Sequence, residues 1–174
     1  LIAGLGVGSL PEENEALGVV YDERGPWSDE FIEVMQTLWK DTPANYTGSH
    51  FRMNGLVAAP KPVDESVEIW IGGTGAPARA RAAKYGTGWH PMCSTSGLVK
   101  RLPKLVESLE AAGRTRDEIV VAPRISVDQV PDAASVEAWA EAGADQLIIG
   151  TTTPDLAEIR AGLARVADLA AGSR

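Results

Sequence analysis

The glycine-rich stretch 72–78, GGTGAPA, has the residue types of an anion-binding turn and follows the apolar run 69–71. Glycines let a backbone approach a ligand closely, and the first free N–H groups of a helix that starts there would point at a phosphate. Thr74 adds a hydroxyl donor, and Pro77 suits a first helical turn because its missing N–H is not needed there. We therefore predict a phosphate-binding turn; the alternative is merely a tight connection between a strand and a helix.

The same stretch satisfies the dinucleotide-binding pattern G-x-G-x-x-A from Gly73 to Ala78. That pattern requires an acidic residue about 20 positions further along the chain, where it holds a ribose. Residues 89–98 contain no carboxylate. The sequence therefore disfavours a dinucleotide site, while the prediction of a phosphate site stands.

A second cluster, GTGWHP at 86–91, contains the next short strand and reaches its carboxyl end. Neighbouring parallel strands share the sheet edge at which ligands bind, so this cluster should lie beside the glycine-rich turn. His90 is predicted to contact a cofactor, to donate a proton or to be a structural residue, whereas Trp89 either packs in the core or lines the site. Arg124, inside a later apolar run, is a candidate contact for a substrate anion.

Neither a metal site nor a catalytic nucleophile is predicted. The two histidines and the single cysteine, Cys93, show no metal-ligand spacing, and no base is evident beside Cys93. The sequence also lacks a Walker loop and a G-x-S-x-G elbow. Catalytic residues are therefore left unassigned.

Composition restricts the classes of partner. The 174 residues include 24 acidic and 16 basic side chains, which gives a net charge of -8 and argues against nucleic-acid binding. No apolar run approaches the length of a membrane span, so no membrane partner is expected. The single cysteine excludes an internal disulfide framework and favours a reducing, cytoplasmic location.

Short strand-like runs alternate with longer helical patterns along the chain. Strands separated by helices pair in parallel, which leaves two α/β architectures: a doubly wound open sheet, or part of a (β/α)8 barrel of about 250 residues. Residues 1–174 are treated as one domain, and 42–62 as a hairpin-like excursion before the second predicted strand. The chain begins without Met inside a strand-like run, so we expect a longer parent protein. The five predicted strands are 1–8, 67–71, 88–91, 119–127 and 146–150.

Several motifs occur in an order that resembles a known family. They are LGVG at 5–8, PEENEALG at 11–18, ERG at 23–25, DEF at 29–31, LW at 38–39, YTGSHF at 46–51, PKP at 60–62, IWIGG at 69–73 and AAKYGTGW at 82–89. In this register they resemble the luciferase-like monooxygenase family over essentially the whole chain. The branch they most resemble uses the deazaflavin coenzyme F-420 (F420) rather than FMN.

This resemblance implies a (β/α)8 TIM barrel, of which the chain carries strands four to eight with their helices. It implies that 42–62 belongs to a long excursion before the fifth strand and that the turn after that strand holds the cofactor phosphate. Gly6 and Gly8 would leave room for the flat ring of the cofactor. The implied cofactor contacts are Gly6, Gly8, Gly73, Thr74, Gly75, Pro77, Ala78, Trp89 and His90.

The implied activity is that of an oxidoreductase or monooxygenase, transferring a hydride between F420, or FMN as the alternative, and an organic small-molecule substrate. The family takes most ring and substrate contacts from its first three strands, which are absent here, so we expect this chain to be incomplete as a catalyst. Two other functions remain open: a non-catalytic, cofactor-binding or self-associating barrel fragment, and a small α/β domain that binds a phosphorylated ligand. Open strand edges favour a homo-oligomer.

Overall fold

The computed structural model describes residues 1–172 as two compact units that divide between Trp70 and Ile71. The first unit contains strand β1 (Ile2–Leu5), the short helix α1 (Pro11–Ala16) and the long helix α2 (Arg24–Lys40). Helix α2 starts at Arg24 because a 3-10 turn (Tyr21–Glu23) leads straight into it. Whether 1–174 is one domain stays a prediction.

A β-hairpin occupies most of the segment 42–62. Strands β2 (Ala44–Thr47) and β3 (Arg52–Leu56) pair antiparallel, with Tyr46 opposite Met53. This pairing confirms the hairpin-like character expected of the segment. At its tip, the ring of Phe51 lies 4.9 Å from the ring of Trp27 and 6.0 Å from that of Phe31, so aromatic packing holds the tip on α2.

Strands and helices alternate from the division point onwards. The division falls inside strand β4 (Glu68–Gly72), which is followed by α3 (Ala76–Tyr85), β5 (Gly88–His90) and α4 (Thr95–Ala111). The remaining elements are β6 (Val120–Val121), β7 (Arg124–Ser126), α5 (Ala133–Glu141), β8 (Ile148–Gly150) and α6 (Leu156–Gly172). Large buried side chains form the core of this second unit: Ile71, Trp89, Leu98, Leu105, Leu109, Val121, Ile125, Val130 and Trp139.

Two strand pairs of the second unit are parallel. Trp89 of β5 lies opposite Val121 of β6, and Ile125 of β7 lies opposite Ile149 of β8. A further parallel bridge joins Met92, just beyond β5, to the first residue of β7. Parallel pairing brings the carboxyl ends of these strands to one edge of the sheet, which is where the predicted site residues cluster.

The single strand expected over 119–127 is divided at Pro123. Backbone N–H groups of alternate residues from Val120 to Arg124 donate to carbonyls of the β5 segment at 2.9 Å, so that side of the run is continuous. On the other side, the Pro123 carbonyl accepts the N–H of Ile148 at 3.0 Å, but proline has no N–H to donate in return. The missing donor interrupts the ladder and separates β6 from β7.

Local caps explain where the helices of this unit begin and end. Helix α5 is capped by Asp132, whose carboxylate accepts the N–H of Ser135, the third helical residue, at 2.8 Å. At the C-terminal end of α3, the Arg114 guanidinium donates to the carbonyls of Ala83 and Gly86, both at 2.9 Å. Among residues 1–172, no helix combines the length and the apolar character that crossing a membrane requires.

Candidate cofactor and substrate site

Gly73 has a backbone conformation that requires glycine. Its φ is +106°, and a Cβ built on it would lie 3.0 Å from the Cβ of Ala78. Both observations disfavour any side chain, because the positive φ is strained for L-residues and the space is taken. The turn after β4 therefore depends on Gly73 for its shape.

Gly75 is different, because its backbone restricts the side chain much less. It is the cap of α3, with φ -75° and ψ 168°, and the atom nearest to a built Cβ is Cδ of Pro77 at 3.6 Å. A small side chain fits there without strain. Helix α3 starts at the next residue, and Pro77 lies in its first turn as the sequence suggests.

Arg79 is a residue of this turn that the sequence analysis did not single out. Its guanidinium donates to the carbonyl of Thr74 at 2.7 Å and so links the glycine-rich turn to the first turn of helix α3. A cation near a helix N-terminus opposes the helix dipole, so such a position is unfavourable without a compensating contact. That mismatch is the signal in the sequence that would have pointed to Arg79.

Trp89 supports the glycine-rich turn through a hydrogen bond to its backbone. Its side chain is fully buried, and the indole N–H donates to the carbonyl of Gly73 at 2.9 Å. A side chain with no exposed surface contributes to a ligand site through the backbone that it holds. In this structure Trp89 supports the backbone of the turn, and its expected contact with the cofactor stays a prediction.

The ring of His90 has a defined hydrogen-bonding pattern. Its Nδ1 lies 2.7 Å from the carbonyl oxygen of Ala122. Because a carbonyl only accepts, Nδ1 must carry the hydrogen, and in the neutral ring Nε2 is then the acceptor. The β5 strand thus presents an oriented imidazole at its carboxyl end.

One cavity of about 300 Å³ brings four of the predicted residues together. Its lining residues are Gly72, Gly73, Thr74, His90, Met92 and Arg124. A glycine turn, a hydroxyl, an imidazole and a guanidinium around one space suit an anionic oxygen group. Gly75, Pro77 and Ala78 belong to the same turn and helix start but do not line this cavity.

A second cavity of about 300 Å³ shares Met92 and Arg124 with the first one. Its other polar lining residues include Thr151 and Thr152, which follow β8. Cys93 also lines it, and burial raises the pKa of its thiol although the charge on Arg101 partly lowers it. A raised pKa favours the neutral thiol, which is a weak nucleophile, and the expectation that Cys93 is not a catalytic nucleophile stays a prediction.

Gly6 and Gly8 lie in the first unit, where they line a cavity of about 460 Å³ together with Trp27 and Phe31. Gly8 has φ +75°, and a Cβ on it would lie 2.9 Å from Nδ2 of Asn14, whereas Gly6 has open space around it. The proposed contact of these two glycines with the cofactor ring stays a prediction. Residues 1–172 contain no group of three His, Cys, Asp or Glu side chains suited to a metal ion.

A family model described as luciferase-like monooxygenase matches residues 1–172. The chain belongs to the luciferase-like monooxygenase family. Among curated relatives, the F420-dependent glucose-6-phosphate dehydrogenase of Microbacterium testaceum is 30% identical over 138 residues, which make up 74% of this chain and 40% of that protein. The match therefore spans less than half the length of that relative.

Two solved structures have the same fold. The F420-dependent secondary alcohol dehydrogenase in complex with an F420-acetone adduct matches with a TM-score of 0.73 at 20% identity, covering 90% of this chain and 65% of that one. The coenzyme F420 dependent tetrahydromethanopterin reductase from Methanopyrus kandleri matches with a TM-score of 0.70 at 16% identity, covering 88% and 69%. The predicted α/β fold of the luciferase-like enzymes, present in part, is confirmed, as is the likeness to the F420 branch.

Proposed function

We propose that the protein is an oxidoreductase that transfers a hydride between F420 and a small organic substrate. The observation that carries this proposal is one cavity in which Gly73 and Thr74 of the turn lie together with His90 and Arg124. Membership of a family with F420-dependent relatives supports the same cofactor. A closed barrel and full catalysis are proposals for the whole protein.

The residues present fit the phosphate of such a cofactor. The free N–H groups at the start of α3 and the hydroxyl of Thr74 are donors, and the cavity beside them contains the cation of Arg124. Gly75, Pro77 and Ala78 would present backbone to the phosphate without a bulky side chain. Trp89 would hold Gly73 in place through its indole N–H.

When bound, the deazaflavin supplies the carbon that accepts or donates the hydride. The chain would bind and orient it: the turn holds the phosphate, and Gly6 and Gly8 leave space for the ring. His90 would contact the cofactor with its ring oriented by the hydrogen bond between Nδ1 and the Ala122 carbonyl. Arg124 would contact an anionic part of the substrate.

FMN is the alternative cofactor, because its phosphate would suit the same turn. The two cofactors are separated by titrating the protein with each and following cofactor fluorescence. We expect F420 to bind more tightly than FMN. Tighter binding of FMN would overturn the F420 assignment, and no binding of either would overturn the proposed function.

Catalysis is tested separately from binding. Bound F420 should be reduced when an oxidisable substrate, such as glucose 6-phosphate or a secondary alcohol, is added, because these are substrate types named in the relatives and structures. Binding of F420 with no reduction by any alcohol or sugar phosphate would favour the non-catalytic, cofactor-binding alternative.

A homo-oligomer, a small-molecule substrate and a cytoplasmic location complete the proposal. The oligomer is supported by exposed large apolar side chains, such as Leu17 at 81% and Val63 at 99% exposure. The location is supported by the single cysteine, which is free.

A further inference from the structure

The second cavity is lined by Arg124 of β7 and by Thr151 and Thr152, which follow β8, and it shares Arg124 with the cavity assigned to the cofactor phosphate. We propose that it holds an anionic group of the substrate, a phosphate or a carboxylate, between the Arg124 guanidinium and the hydroxyls of Thr151 and Thr152. That the bound anion belongs to the substrate rests on the proposed function.

The position of Arg124 is fixed by the sheet. Its backbone N–H donates to the carbonyl of Pro91 at 2.9 Å, and it pairs in register with Ile148 of β8. Its Nε and Nη2 atoms lie 4.0 Å from the point where a Cβ on Gly150 would be. The guanidinium therefore passes over the end of β8, where a glycine leaves its planar face and donors accessible.

Thr151 and Thr152 continue the chain from Gly150 and line the same cavity as the guanidinium. A threonine hydroxyl donates one hydrogen bond, and a guanidinium donates up to five in a fork that matches the oxygens of carboxylate and phosphate. Arg124 supplies the charge, and the two hydroxyls supply the direction. Hydrogen bonds to an ionised group are about twice as strong as neutral ones, so this set favours an anion over a neutral hydroxyl.

The neighbouring groups show why the anion depends on Arg124 rather than on a helix end. The carboxylate of Asp155 accepts the N–H groups of Ala157 and Glu158, at 2.7 and 3.1 Å, so the start of α6 already has an anionic cap. The hydroxyl of Ser126 is within 3.3 Å of the Asp128 carboxylate, which leaves Ser126 outside the proposed contacts. None of the described residues that line the cavity is Asp or Glu.

The test is a titration of the ¹⁵N-labelled 174-residue chain with inorganic phosphate at constant ionic strength. Two sets of backbone amides report separately, those at 150–152 for the substrate anion and those at 73–78 for the cofactor phosphate. We expect both sets to respond. The double variant Thr151→Val, Thr152→Val should weaken the response at 150–152 about tenfold and change that at 73–78 by less than about twofold.

The matched control is Thr153→Val, the same substitution one residue further on, outside the cavity. Its hydroxyl accepts the N–H of Asp155 at 3.2 Å, so the control changes the local cap but should keep the phosphate response at 150–152. Arg124→Gln should weaken both sets of responses, because Arg124 lines both cavities. A parallel titration with acetate separates a carboxylate site from a phosphate site.

No response at 150–152 to phosphate or acetate would overturn the inference, as would an unchanged response in the double variant. A response at 150–152 with none at 73–78 would support the anion subsite and contradict the proposed cofactor site. The two failures are thus distinguished by which amides move.

Discussion

Gly73 is the residue of the turn whose backbone leaves the least choice of side chain. Because its φ is +106° and a Cβ would crowd Ala78, Gly73→Ala should lower the free energy of unfolding by about 1–3 kcal/mol. The turn would also lose the conformation that directs its N–H groups, so F420 binding should weaken by about tenfold or more. Urea unfolding and a fluorescence titration measure the two effects.

Gly75→Ala is the control for that substitution. Its φ of -75° is open to any residue, so the free energy of unfolding should change by less than about 0.5 kcal/mol. Weaker F420 binding in this stable variant would indicate that the phosphate approaches the backbone closely at Gly75. If Gly73→Ala were as stable as the unsubstituted protein, the conclusion that the turn requires glycine at position 73 would be wrong.

The sequence predicted the turn but not the division of work among its residues. Three glycines, a threonine and an immediate helix start are visible as letters, and they predict where an anion would be held. The positive φ of Gly73 and the ordinary φ of Gly75 are set by the path of the chain between β4 and α3, which the letters do not reveal. The buried hydrogen bond from Trp89 depends on tertiary packing in the same way.

At the scale of the elements, the side chain of Asp145 replaces a strand partner on the side of β6 that does not face β5. Its carboxylate accepts the buried backbone N–H of Val121 and the guanidinium of Arg116, both at 2.7 Å. Asp145→Ala leaves that N–H without an acceptor and should cost about 1–3 kcal/mol in urea unfolding. Asp145→Asn, which keeps an acceptor oxygen, should cost less; equal costs for the two variants would show that the N–H bond contributes little.

Glu30 joins the hairpin to α2. Its carboxylate accepts the backbone N–H groups of Ser49, His50 and Phe51 at 2.8, 2.8 and 3.2 Å. Burial acts to raise the pKa of Glu30, but these hydrogen bonds and the charge on His50 together lower it below the ordinary value of 4.5. A lowered pKa stabilises the folded state above pH 4.5, and this contribution is lost as the pH falls through the folded value.

Glu30→Gln should therefore be less stable than the parent protein at pH 7, and the difference should shrink as the pH falls to about 3. The measurement is urea unfolding of both proteins across this range. Other carboxylates titrate in both proteins alike, so the difference reports Glu30 together with its interaction with the charge on His50. A difference that stays constant with pH would contradict the role given to its ionised form.

Element types were predictable where periodicity is strong, and boundaries were not. Helix α4 has Leu98, Leu105 and Leu109 on one buried face, and this spacing is legible in the sequence. The division of the run 119–127 at Pro123 depends on which neighbouring strand an N–H at that position would face. Predicting it requires knowledge of the strand order, which the sequence does not give. Asp132 caps α5 and Ser135 is the third helical residue; each residue type suits either position of this reciprocal cap, so the sequence alone does not fix where the helix begins.

At the scale of the whole molecule, family and fold follow from motif order, whereas assembly does not. Motifs of the luciferase-like family lie along the chain in register, and the match over 1–172 agrees with them. Which surfaces meet in an oligomer depends on shape and exposed area, which motif order does not encode. Whether the chain self-associates therefore depends on the balance between its exposed apolar side chains and its net negative charge.

Self-association is the prediction that belongs to this scale. Each copy carries a net charge of -8, so two copies repel one another at low salt, while exposed apolar side chains such as Val57, Leu17 and Val63 favour contact. Added salt screens the repulsion, with a Debye length that falls from about 30 Å at 0.01 M to about 10 Å at 0.1 M. The mass from light scattering should therefore exceed 18.4 kDa and rise with both protein and salt concentration. A mass that falls with salt would indicate association through ion pairs, and a constant 18.4 kDa would show that the exposed apolar side chains do not drive assembly.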